Sequence, residues 1–399
     1  RIVPPPLPRL RPAARIRWSF RTEDADVLHR PAVGPDRTLY VADDSGLLHA
    51  IDDDGAVRWT YDAARHGGGA GTGGEGPVAR DADGTLYLAF NPGGGWVELH
   101  AVSPDGAPKW VVRFPGRSTI AGPAVGPDGD VYVIHAEGFG LSRVGADGRV
   151  LWSNGAALTD RSSLGAELVF GPDSPRGQPS QLYAAFDMRA QPQLPPSPGL
   201  FAFGLEGRLR FRTEVGRLTS PGGQRDGQPA VGASGTVFLS TTAPGQAFGV
   251  HAFDSRSGRR LWSWYEPPGN VLSEPVAMPD GGVLVVRNLR QLTALDANGS
   301  KVWNQPLGLD VREGPVLTPD GRELLLAGTD GEHVRVEARS AAGGALKWQE
   351  PLPLEPGTLH VPSCRMSVSP DGARAYVQIS SASGDGARSW RVFALELHR

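Results

Sequence analysis

Ala252-Phe253-Asp254-Ser255-Arg256-Ser257-Gly258-Arg259-Arg260-Leu261-Trp262 decides the fold, because the same frame recurs along the chain. A glycine stands four residues before an aromatic at Gly55/Trp59, Gly106/Trp110, Gly148/Trp152, Gly207/Phe211, Gly258/Trp262, Gly299/Trp303 and Gly344/Trp348. Before each comes a small residue, Ala50, Ala101, Ala202, Ala252, Ala294 or Ala338, with Arg143 as the exception. Further upstream lie β-rich runs such as Leu39-Tyr40-Val41 and Val131-Tyr132-Val133, then Pro-Ala-Val-like stretches such as Pro31-Ala32-Val33 and Pro229-Ala230-Val231. Between these two sit Gly-Pro-Asp turns at Gly34, Gly126 and Gly171, with Pro279-Asp280-Gly281, Pro319-Asp320-Gly321 and Pro370-Asp371-Gly372 as variants. Proline at the second turn position, followed by glycine, suits type I or II geometry.

Each unit therefore reads as four short strands. A period of about 40 to 50 residues with four strands is the mark of a propeller blade. The two ends settle the count. The last unit stops after Phe393-Ala394-Leu395 with no aromatic strand to follow, and Arg15-Ile16-Arg17-Trp18 is an aromatic strand with nothing before it. Joined, they complete one blade and leave no open sheet edge between first and last units. The sequence thus predicts an all-β, single eight-bladed propeller of four-stranded antiparallel blades, the last closed by the N-terminal strand. Its expected blade limits are 31–62, 77–114, 122–154, 166–215, 228–266, 274–307, 314–352 and 364–399 with 15–21. Residues 1–14, rich in Pro and Arg, read as a linker left by processing and suited to tethering the propeller to a membrane.

Composition agrees with many short strands and tight turns: of 399 residues 54 are Gly and 36 Pro, yet 39% are hydrophobic, enough for a large core. The net charge of −3 comes with no polybasic run, which argues against a nucleic-acid partner. No apolar stretch reaches the roughly 18 residues of a spanning helix.

The segments Ala252 to Trp262 and Ala294-Leu295-Asp296 through Gly299 to Trp303 resemble the repeat of the quinoprotein-dehydrogenase (PQQ-like) superfamily, and the resemblance covers essentially all of residues 15–399. It implies that Trp18, Trp59, Trp110, Trp152, Phe211, Trp262, Trp303 and Trp348 each dock against the neighbouring blade. Such an aromatic buries roughly 150–250 Å², and truncating it to Ala would cost about 3–5 kcal/mol. The resemblance speaks for fold and not for activity, since the superfamily includes PQQ enzymes and non-catalytic members. In size and blade number the chain is similar to the family's outer-membrane barrel-assembly lipoproteins. A PQQ dehydrogenase is expected to carry adjacent cysteines, a calcium site and an aspartate base on a longer chain, whereas Cys364 is the single cysteine here. No cofactor is expected, and no catalytic residue is assigned. Neither a His-x-x-x-His pair nor a Gly-x-Ser-x-Gly elbow occurs. Asp52-Asp53-Asp54-Gly55 and Asp81-Ala82-Asp83-Gly84 lack the spaced acids of a calcium loop and read as turns, so no metal site is expected. Cys364 reads as a small buried hydrophobe.

In such a blade the first-to-second and third-to-fourth connections open on one face, and the second-to-third and inter-blade connections on the other. The first set is expected to be uniformly short. Insertions are expected in the second set, at His66 to Gly76, Ser153 to Gly165, Asp187 to Gly199, Gly216 to Gly227, Pro353 to Ser363 and Ser380 to Arg388. Length variation confined to one face is how repeat scaffolds present a binding surface. That face meets the channel mouth, where His29, Arg30, Glu274, Arg312, Glu313 and Arg365 are the candidate binding residues, with Glu75, Asp226 and Cys364 nearby. The bland expectation is that these arginines and carboxylates pair with one another. The leading functional expectation is a monomeric, non-catalytic scaffold of the bacterial envelope (periplasmic, outer-membrane-tethered or secreted) that binds a protein or peptide. One alternative is an enzyme acting on a carbohydrate or small polar ligand at the mouth through His29, Arg30, Glu274 and Arg312. Another is a lectin-like binder using Trp96, Trp264 and Trp390.

Overall fold

In the computed structural model, the described residues are 14–22, 31–43, 45–67, 77–115, 119–135, 140–155, 167–172, 179–188, 197–215, 228–241, 248–266, 272–354, 358–383 and 388–397. Their strands form eight four-stranded antiparallel sheets. Blades 1 to 7 run over 32–62, 79–115, 119–155, 169–214, 230–266, 276–306 and 316–352, each with its strands in chain order. Blade 8 takes three strands from 358–397 and its outermost strand, Ala14–Thr22, from the start of the chain.

The closing strand copies the register of the others. Trp18 pairs with Ala394 as Trp59 pairs with Ala50 and Trp262 with Ala252. A one-residue irregularity follows each of these pairs, between Ile16 and Trp18 in the closing strand and at Ala50/Ile51 in blade 1. The small residue upstream of each aromatic is thus its cross-strand partner, which leaves room for the indole. Where Arg143 replaces alanine opposite Trp152, its guanidinium turns to Asp128 and Asp130 and covers the Tyr132 ring.

The core lies between blades and not at one centre. One apolar cluster joins Tyr40, Leu48 and Ala50 of blade 1 to Leu86, Leu88 and Phe90 of blade 2, and another joins Leu39, Val41 and Ile51 to Tyr376, Trp390 and Val392 across the closing seam. Second strands are covered on both faces, so they read as unbroken apolar runs such as Val131–His135.

Two corrections concern the aromatics. The repeating Trp residues are mostly half-buried, Trp348 alone being buried at 5% exposure, because the fourth strand is the outer edge of its blade. Five second-strand rings, Tyr87, Tyr132, Tyr183, Phe238 and Tyr376, are fully buried, and each meets its blade's outer aromatic at 5.7–6.4 Å between centroids. Trp390, considered above for a lectin-like role, is fully buried, and Trp264 is half-buried beneath the Arg287 guanidinium at 5.6 Å.

The indoles do dock on the next blade. Trp18, Trp59, Trp110 and Trp262 donate Nε1–H to the carbonyls of Asp53, Pro104, Ala146 and Ala297 at 2.8–3.0 Å. Each ring covers the next blade's repeat glycine: a Cβ at Gly106 would stand 2.6 Å from Trp59 Cδ2, and Gly106 has φ +88°. At Trp152, Phe211 and Trp303, the side chain two positions on donates instead: Asn154 to Gly207 O, Thr213 to Gly258 O and Gln305 to Gly343 O.

Candidate partner-binding face

The two ends of the blades differ in construction. At one end every described connection is the same tight turn, in which the N–H of residue i reaches the carbonyl of i+4 or i+5: Gly34 to Thr38, Asp52 to Ala56, Gly126 to Asp130 and Asp296 to Ser300 are examples. Aspartates cap these turns from within, as Asp52 Oδ1 does for the N–H groups of Asp54 and Ala56. One exception corrects the expectation of uniform shortness. In blade 4 the Gly171 turn is opened by an insertion, since Pro172 pairs with Pro179 across residues 173–178.

At the opposite end the connections vary: the second-to-third ones run from Gly94-Gly95 alone in blade 2 to residues 189–196 in blade 4, the inter-blade ones are mostly longer, and most of the expected insertions fall outside the described residues: 68–76, 156–166, 189–196 and 216–227. Two of those expected are chiefly strand. Pro353 to Ser363 enters the long first strand Thr358–Val368, and Ser380 to Arg388 is the end of a lengthened hairpin formed by Arg374–Ser383 and Arg388–Leu397. A second lengthened hairpin, in blade 2, carries Gly93, Gly94 and Gly95 at φ +70° to +86° and presents Trp96 with 48% of its surface exposed. Backbone that left-handed through three successive residues requires glycine. Of the three tryptophans considered for a lectin-like role, Trp96 is the exposed one.

Of the candidate mouth residues, Glu274, Arg312, Glu313 and Arg365 lie on three successive blades, whereas His29 and Arg30 fall outside the described residues, as do Glu75 and Asp226. Glu274 and Arg365 are buried at 6% and 8% exposure. Gly314 lets the next blade pack tightly here, since a Cβ there would meet the Glu274 carbonyl oxygen at 3.0 Å. Arg365 Nε lies 3.4 Å from Glu313 Oε1, the cross-blade pairing of the bland expectation. Arg312 is half-buried. Cys364 is buried, and desolvation pushes its thiol up to about 12, well away from a reactive thiolate.

A buried polar series went unread in the sequence. The residue before the repeat alanine is histidine in His49-Ala50, His100-Ala101 and His251-Ala252, and all three are buried. His100 Nδ1 lies 2.9 Å from Tyr61 Oη, and its Nε2 lies 3.1 Å from the carboxylate of Glu98, which also accepts from Arg113 at 2.8 Å. His251 sits between the hydroxyls of Thr241 and Ser263, each at 2.8 Å. These are ties between strands; the repeated His-Ala dipeptide was their visible signal.

A closed ring of four-stranded, PQQ-like blades with one turn-built face and one loop-built face defines an eight-bladed β-propeller. The chain belongs to the family described as outer membrane protein assembly factor BamB, whose profile matches residues 10–163 and 246–395. The unmatched stretch holds blade 4, where Phe211 replaces tryptophan and the turn insertion occurs. Among solved structures, BamB from Moraxella catarrhalis is 17% identical with a TM-score of 0.59, covering 94% of this chain and 100% of its own. The C-terminal WD40 domain of Sif2 is 11% identical at a TM-score of 0.60 over 94% of this chain and 98% of its own. A europium-containing methanol dehydrogenase is 14% identical at 0.58 over 96% and 93%. At such identities these structures show the fold alone. No curated protein matches the chain in sequence. No helix among the described residues is long and apolar enough to cross a membrane.

Proposed function

We propose that this protein is a non-catalytic scaffold of the bacterial cell envelope that binds a protein or peptide partner through its long-connection face. The observation that carries this reading is the sorting of connections by face: one end is a near-repeat of a single turn, and length and composition vary at the other. Membership of the BamB family supports the envelope setting and a partner in outer-membrane assembly. The mouth residues Glu274, Arg312, Glu313 and Arg365, with His29 and Arg30, would lie at the centre of the footprint, where desolvated charges fix register more than they add affinity.

Site-specific photo-crosslinking in envelope preparations tests this. A crosslinker at exposed Trp96, on the long-connection face, is expected to capture a discrete protein, and one at exposed Ser234, on a short turn, is not. Deleting residues 189–196 should lower capture from position 96 without lowering the melting temperature. Equal capture from both faces, unchanged by the deletion, would refute the reading.

A further inference from the structure

We propose that the seam between blade 8 and blade 1 is an electrostatic latch holding the closing strand Ala14–Thr22, and that this seam opens selectively when charges are screened. The closing strand is the one outer strand whose sheet neighbours lie at the far end of the chain, so it alone can leave its blade without undoing a hairpin.

Its seam is built differently from the others. Arg374 of blade 8, buried at 5% exposure, grips Asp53 of blade 1 in a two-point pair, Nε to Oδ1 at 2.7 Å and Nη2 to Oδ2 at 2.9 Å. Arg37 of blade 1 reaches back to Asp371 at 2.8 Å while touching Asp53 at 3.1 Å. Arg17, on the closing strand itself, bridges Asp54 at 3.3 Å and Glu396 at 3.7 Å. Three guanidinium–carboxylate pairs therefore cross this seam. Among the described residues, no other seam has more than one, the others being Glu266–Arg287, Arg290–Asp310 and Glu313–Arg365.

The backbone shows the same specialisation. At the last position of the first-to-second turn, the other described blades place glycine: Gly84, Gly129, Gly235, Gly281, Gly321 and Gly372, all at positive φ. Blade 1 has Arg37, at φ +65°. A side chain there is held against the backbone's preference. What it gains is the reach across to Asp371, whose carboxyl is held down to about 2: desolvation opposes this, but bonds from Ser369, the Ala373 N–H and Arg37 outweigh it.

Among the described residues the seams between blades 1 and 2, 2 and 3, and 3 and 4 carry no guanidinium–carboxylate pair and are made of aromatic docking and neutral hydrogen bonds, which respond little to ionic strength, whereas partly exposed ion pairs are screened within about 10 Å at 0.1 M salt and over a shorter range at higher salt. Hydrogen exchange read by mass spectrometry on the full chain tests the latch, in sodium chloride of about 0.02 M against about 1 M, with sucrose of equal osmolality as control. Amides of 14–22 are expected to exchange on the order of tenfold faster in high salt, the scale of a few weak surface-type pairs, while the outer strands 57–62 and 150–155, whose seams carry no such pair among the described residues, stay unchanged. Arg37→Gly, which relieves the backbone, is expected to keep the fold, raise exchange of 14–22 already in low salt and blunt the salt response; Asp371→Asn serves if Arg37→Gly fails to fold. Salt-independent exchange of 14–22, or equal acceleration of all outer strands, overturns the proposal.

Discussion

At the residue scale, the repeat is a contact between one aromatic and one glycine. Gly106 sits at φ +88° with the Trp59 ring where its Cβ would be, and Gly148 stands in the same way against Trp110. Gly106→Ala should lower stability by about 1–3 kcal/mol, through overpacking and a left-handed backbone together. Gly129→Ala, with φ +81° but open space around its Cβ, should cost less; thermal melts of the two variants separate packing from backbone. Truncations should order likewise: Tyr132→Ala, removing a fully buried ring, should cost about 3–5 kcal/mol, and Trp110→Ala less, since its ring is half-exposed. The sequence shows that these aromatics recur. It does not show which of the two rings lies outermost, because that depends on the fourth strand being the rim of the blade.

At the element scale, the second and third strands carry polar groups into a covered interior. Desolvation lowers the imidazole of His135 to about 4, and that of His251 to about 4 as well. Both are neutral in the fold and would titrate near 6.5 when unfolded. Their contribution to stability is therefore complete above about pH 6.5 and is lost as pH falls toward 4, at up to roughly 1.4 kcal/mol per pH unit for each histidine. Denaturant titrations at pH 7 and pH 5 should show the loss, and His251→Asn should make the dependence shallower. Strands, turns and closing register were legible because alternation, Asp-Gly turns and the orphan Trp18 strand are local signals. The blade 4 turn was misread: Gly171-Pro172-Asp173 matches the turn pattern, yet pairing resumes only at Pro179. Length there is set by where the partner strand re-enters the sheet, which no dipeptide encodes. Site residues were less legible for a related reason: Arg365 and Glu313 meet across a blade seam, which no local pattern announces, and the candidates His29 and Arg30 fall outside the described residues.

At the scale of the whole molecule, stability is shared among blade seams, and one strand converts an arc into a ring. Removing residues 1–22 should expose the edge of Arg388–Leu397 and leave the Gly55 surface without Trp18, so the protein should aggregate or melt well below the full chain, whereas removing residues 1–13 should leave the melting temperature unchanged. Light scattering and calorimetry on the two truncations decide this. The pairing of Ala14 with Leu397, and the hydrogen bond from Leu397 N–H to Ala373 O, place both described ends beside the short turns. Anything attached ahead of residue 14 or behind residue 397, be it an anchor, a fusion or a sensor-chip linker, therefore starts from the turn-built side, and immobilising the protein by either end leaves its variable side facing the solution.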